Sequence, residues 1–116
     1  MISHGSRDTF EAFNDGIVYI CYIDSKGNAG NKKENIRFQE RTVGSARYYE
    51  AMTNKVKIDR LIRIPFRSWM TTEYLAVIDG QVYEIVQVQT ITDTKPKSNN
   101  VSLRLMRQRR ISNGSV

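Results

Sequence analysis

Eighteen Lys and Arg against twelve Asp and Glu give the chain a net charge of +6, and these cations are its most plentiful chemical resource. Residues 95–110 carry Lys95, Lys97, Arg104, Arg107, Arg109 and Arg110 with no acid among them. Lys55, Lys57, Arg60, Arg63 and Arg67 form a second set, opposed only by Asp59. Strand residues two apart share a face. Each set can therefore line up as a stripe that neutralises phosphates and binds nucleic acid in a salt-sensitive, sequence-independent way. The same spacing equally describes a solvated basic face. A single-strand reader would also need aromatic rings for base stacking, and the tyrosines here lie in apolar strands or in SARYYEAM, not clearly interleaved with Arg. Lys55, Lys57, Arg63, Arg104, Arg107, Arg109 and Arg110 are the candidates to face DNA or a lumen.

Catalytic chemistry has much less to draw on. The twelve acids are spread through strands and turns without the close repeated pairing of glycosidase or metal sites. His4 is the only histidine and Cys21 the only cysteine. Four Cys or His ligands for zinc do not exist, and a thiol nucleophile would lack a well-placed base. A lone Cys inside an apolar strand is ordinarily a small buried hydrophobe. The glycine- and lysine-bearing stretch SKGNAGNKKE lacks both GxxxxGK[ST] and GxGxxG spacing, and no helix pattern follows it. We expect no enzyme activity, no cofactor and no metal.

The element that organises the chain is a hairpin over residues 73–92. Residues 74–78 and 82–91 are rich in strand formers, and Asp79-Gly80 between them suits a two-residue type I′ turn, which needs positive φ at both positions. Tyr83 and Ile85 share one face, after which the phase slips so that Val86 and Val88 share a face. A β-bulge would produce that slip, and so would a strand buried on both faces. Residues 16–24 form a first strand, apolar on both faces, which suits a two-sided core or a face covered by another subunit. Residues 25–34 read as a polar loop. Residues 35–43 place Ile36 and Phe38 inward, with Arg37, Gln39 and Arg41 outward. Residues 55–64 alternate cleanly, with Arg60 on the inward parity and hence near a barrel mouth, and Pro65 ends the strand. A last strand begins at residue 100 or 101, with Val101, Leu103 and Leu105 inward. Six strands with frequent turns, long polar loops and one short helix predict a mainly β, small single-domain β-barrel of antiparallel strands. At 116 residues, one modest core is expected.

The remaining segments carry candidate contacts. Phe10 and Phe13 lie on a polar arm, residues 1–14, read either as one helical turn or as an arm that is loose in the monomer. That arm lacks the order of a signal peptide, so no export is expected. No apolar run approaches membrane-spanning length. SARYYEAM, residues 45–52, reads as a turn or two of helix bearing Tyr48 and Tyr49, either closing a barrel end or touching a partner. Trp69 in FRSWMTT either folds back on the core or anchors a partner. With Tyr19, these are the candidate interface residues. Residues 15–107 make the domain, and 108–116 a basic tail expected to be disordered.

This order of elements resembles the phage head–tail adaptor family, the head-completion or stopper proteins of long-tailed phages. The residues that carry the likeness are Gly44, Tyr48, Tyr49, Glu50 and Ala51; Val56, Ile58 and Ile62; Gly80, Tyr83, Glu84, Ile85 and Val88; then Leu103 and Leu105. The segment 66–72 is longer and more aromatic than the family pattern. The resemblance implies a virion protein at the head–tail interface, assembled in the host cytoplasm. It implies a homo-oligomeric ring, six- or twelve-fold, beneath the portal protein, retaining packaged DNA, with non-specific contact to it, and docking tail-side connector proteins. The other reading is a small oligonucleotide-binding-type barrel that uses a basic face.

Overall fold

The computed structural model describes residues 9–41 and 57–106. They form a mainly β structure whose centre is a closed antiparallel barrel of six strands. The barrel strands are β2 (Gly16–Ile23), β3 (Ala29–Arg41), β4 (Arg60–Pro65), β5 (Tyr74–Ile78), β6 (Gln81–Ile91) and β8 (Ser98–Leu105), closing in the order β2-β3-β4-β8-β6-β5. Two short strands, β1 (Thr9–Phe10) and β7 (Thr94–Lys95), pair in parallel outside it. Each barrel strand has a neighbour on both sides, although β3 meets β4 only over Gln39–Arg41 and β6 meets β5 only over Gln81–Glu84.

The core follows the alternation of the strands. Val18, Ile20, Ile36, Phe38, Ile62, Ile64, Ala76, Ile78, Tyr83, Ile85, Val101 and Leu103 are buried in one cluster with Met70. The β5–β6 turn is as expected, with Ile78 paired to Gln81 and φ of 48° at Asp79 and 80° at Gly80. The phase slip in β6 is a bulge. The register with β8 jumps between Ile85 and Gln87, so Val86 is the extra residue and Val88 turns back onto the core.

Several sequence-based expectations are corrected. Residues 29–34 are not loop but the first half of β3, because the β2–β3 hairpin turns tightly around Asp24, whose Oδ1 accepts from the backbone N–H of Lys26 (2.8 Å) and Asn28 (2.9 Å). β4 starts at Arg60, and β8 starts at Ser98. Residues 9–14 contain no helical turn. The arm is extended and tied down: Glu11 N donates to Lys95 O (3.0 Å), and Gln39 Nε2 donates to Ala12 O (3.2 Å). The expected helix at 45–52 lies outside the described residues.

Antiparallel order sorts the strand termini into two ends. One holds Gly16, Phe38, Glu40, Arg60, Ile78, Tyr83 and Leu105. The other holds Tyr22, the first half of β3, Pro65, Tyr74 and Ser98. Each end carries a cation over aromatic rings.

Candidate functional site

At the second end, the β2–β3 hairpin sets lysines beside aromatic rings. Ile20 pairs with Glu34 and Cys21 with Lys32, so Lys33 is an extra residue in the β3 ladder. A bulge re-aims the side chain it carries. The Lys33 ammonium lies 4.7 Å from the ring centre of Trp69, 5.4 Å from Tyr22 and 5.7 Å from Tyr74. All three distances lie within cation–π range. The rings also hold one another. Tyr74 sits edge-to-face with Tyr22 at 5.6 Å and with Trp69 at 5.4 Å. Lys33 Nζ makes one long hydrogen bond to Tyr22 Oη (3.4 Å), and none of the ion pairs among the described residues involves it. Next to it, Lys32 lies 4.3 Å from the Tyr19 ring centre, and Lys97 lies 4.3 Å from that of Phe66.

Trp69 reaches this cluster because Arg67 clamps its loop. The Arg67 backbone N–H donates to Oδ1 of the buried Asn99 (2.8 Å), while its guanidinium forks onto Glu34 (2.9 and 2.8 Å). This bidentate pairing holds the Glu34 carboxyl below the usual carboxylate range. Met70 is then buried in the core and Trp69 packs half-buried beside it. Of the two readings for Trp69, folding back on the core is the one found, although its ring remains part of the surface cluster.

At the first end the cation is Arg60, on the inward parity near the mouth as expected. Its guanidinium forks onto Glu40 (3.1 and 3.0 Å) and donates to Tyr83 Oη (3.1 Å). It lies 5.6 Å from the ring centres of Phe38 and Tyr83. The Glu40 hydrogen bond is the main cause that raises its pKa. A Cβ on Gly16 would meet the Phe38 ring at 3.0 Å, so a larger residue here would press on the buried ring.

Among the described residues, Arg60, Arg63, Arg67 and Arg104 of the two basic sets are paired with acids. Arg63 is only 9% exposed and does not face solvent as the alternation of residues 55–64 suggested. The N-terminal arm covers it. Its guanidinium pairs with Glu11 (3.2 Å), whose side chain is 5% exposed, and donates to Asn100 Oδ1 (2.7 Å). Arg104 pairs across strands with Glu84. Lys57 is exposed just ahead of β4. Lys55, Arg107, Arg109 and Arg110, with Tyr48 and Tyr49, lie outside the described residues. Phe10 lies in β1, paired to Lys95, and Phe13 is half-buried in the arm. Cys21 is buried, and burial pushes its thiol pKa up, away from the reactive thiolate.

Sequence reasoning therefore named Tyr19 and Trp69 but missed Tyr22, Lys32, Lys33 and Tyr74. The available signal was the hairpin itself. A tight turn at Asp24 folds Lys32 and Lys33 back beside Tyr19 and Tyr22. Reading 25–34 as loop hid it. No protein-family model matches the chain, and no curated protein is significantly similar to it.

Proposed function

We propose that this protein is a structural component of a phage head–tail connector, a ring-forming barrel that closes the DNA-filled head and docks the tail. The observation that carries the reading is β2. Ile17 and Ile23 on this strand are 45% and 44% exposed, as is Tyr22 at 45%, although closure has already paired every barrel strand on both sides. On a strand flanked by β3 and β5, these side chains are what the outer surface offers for association. Exposed apolar side chains at both ends of one strand suit a heterologous contact that closes by rotation. The sequence resemblance supports the same reading, and packed DNA would meet a net charge of +6. Electron microscopy of particles made without this protein is the test. Leaking or empty heads beside free, complete tails are expected. Normal joined virions would remove the connector reading.

A second reading, a barrel that binds single-stranded nucleic acid, draws on one observation. Lysines and aromatic rings alternate around the Lys33 end, at Tyr19, Tyr22, Lys32, Lys33, Phe66 and Lys97. Bases could stack there while ammonium groups meet phosphates. It weighs less, because Arg63 and Arg104 are already engaged by Glu11 and Glu84. Absence of oligonucleotide binding by the isolated protein at low salt would remove it.

A further inference from the structure

We infer that Tyr22, Trp69 and Tyr74 form a binding cage for an alkylammonium group, that Lys33 is its resident occupant in the isolated subunit, and that a lysine side chain of a partner polypeptide can take its place. The inference rests on the cluster alone and stands apart from the connector reading.

Three features carry it. First, the rings make a receptor. Two rings stand near-perpendicular to Tyr74, at 62° and 75°, so faces and edges converge on one point rather than stacking flat. Such an arrangement presents several negative π faces to one cation, which is how aromatic cages recognise ammonium ligands. Second, the receptor holds its ligand class already. The Lys33 ammonium sits within 6 Å of all three ring centres, and so stands in for any amine on an alkyl stem. Third, the occupant is held loosely and two of the three rings firmly, with the 45%-exposed Tyr22 held edge-to-face on Tyr74. Among the described residues, the one hydrogen bond of Lys33 is the long contact to Tyr22, beside the π faces and the through-space charge of Glu34. Trp69 and Tyr74 pack against the core, and the Arg67 clamp fixes the Trp69 loop independently of Lys33. The nearest acid in sequence, Glu34, is forked by Arg67 and feels the Lys33 charge only through space, without a contact ion pair to it. Removing Lys33 should leave a formed, empty cage. A carboxylate-paired cation such as Arg60 would not exchange in this way.

The intramolecular occupant competes with any ligand. A cage filled nine-tenths of the time weakens apparent affinity about tenfold, because only the open fraction can bind. Trp69 is the only tryptophan in the chain, so its fluorescence reports on the cage alone. The test titrates tetramethylammonium chloride into wild type, Lys33→Ala and Lys33→Met, with sodium chloride at equal ionic strength as control. Lys33→Ala should give a saturable Trp69 response with apparent affinity about tenfold above wild type. Lys33→Met should fall between, since its apolar stem still reaches the rings. Adding Tyr74→Leu to Lys33→Ala should abolish the response, with far-UV circular dichroism checking that the barrel persists. If Lys33→Ala responds no more than to sodium chloride, the cage is a structural cluster only and the inference fails. It fails equally if single-stranded oligonucleotide quenches Trp69 and tetramethylammonium cannot displace it, since the rings would then be a stacking platform.

Discussion

The two ends of the barrel solve one problem differently. Each places a cation over aromatic rings, but Arg60 also forks onto Glu40 and reaches Tyr83 Oη, whereas Lys33 has three rings and one long hydrogen bond. A bidentate charge-assisted pair fixes both position and orientation. Cation–π contacts at an accessible site contribute about 0.5–1 kcal/mol and tolerate many orientations. The Arg60 end is therefore built to stay shut. The Lys33 end is built to hold a charge that can leave. The difference lies in the second partner, not in the rings.

The largest effect that probes this contrast is at the floors of the two ends. Phe38 is 1% exposed beneath Arg60, and Phe38→Ala should cost about 3–5 kcal/mol. Trp69 is half-buried, so Trp69→Ala should cost only about 2 kcal/mol from the apolar area it covers. Urea midpoints followed by circular dichroism, with unchanged slope, measure both. Equal losses would mean that the Lys33 end is as much a part of the core as the other, and the contrast would collapse.

Smaller changes address the cations themselves. Arg60→Met leaves Glu40 without its fork and the hydroxyl of the 8%-exposed Tyr83 without this donor. A loss of about 1 kcal/mol is expected, mainly from the buried Tyr83 hydroxyl, since water reaches Glu40 at 42% side-chain accessibility. Lys33→Met removes only a through-space charge from Glu34, which Arg67 still forks, and keeps the apolar stem, so its effect should stay within about 0.5 kcal/mol. If the lysine change proved as costly as the arginine change, Lys33 would be a fixed part of the fold and no exchangeable occupant.

How far the sequence foretold these ends depends on the range of the interactions. The Asp79-Gly80 turn, the inward Ile36 and Phe38, the slip at Val86 and the mouth position of Arg60 were all readable, since each follows from local alternation or turn chemistry. The fate of the charges was not. Glu11 and Arg63 are 52 positions apart in the numbering, and nothing in either neighbourhood says that the arm crosses β4. Alternation placed Arg63 outside the barrel correctly, but outside is not exposed once another segment lies over it. Lys33 was missed for the opposite reason. SKGNAGNKKE offers nothing to bury, so it reads as loop, and only the tight Asp24 turn converts half of it into strand.

The smallest expected effect tests whether the Lys33 end depends on a carboxylate indirectly. Glu34 does not pair with Lys33, yet through Arg67 it steadies the loop that supplies Trp69. Its pKa is lowered in the folded chain, first by the Arg67 hydrogen bond. A group whose folded pKa is depressed contributes stability above its unfolded value and loses it as pH falls through the folded one. The difference between wild type and Glu34→Gln should thus be full at neutral pH and shrink on acidification below the usual carboxylate range. It should not exceed about 1 kcal/mol, since both partners are partly exposed, with side-chain accessibilities of 28% and 36%. Trp69 fluorescence should shift over the same acid range in wild type and not in Glu34→Gln. If Trp69 instead stayed unchanged in wild type down to the acid limit of the fold, the Arg67 clamp would not be what holds the cage, and packing of Trp69 and Met70 against the core would have to suffice.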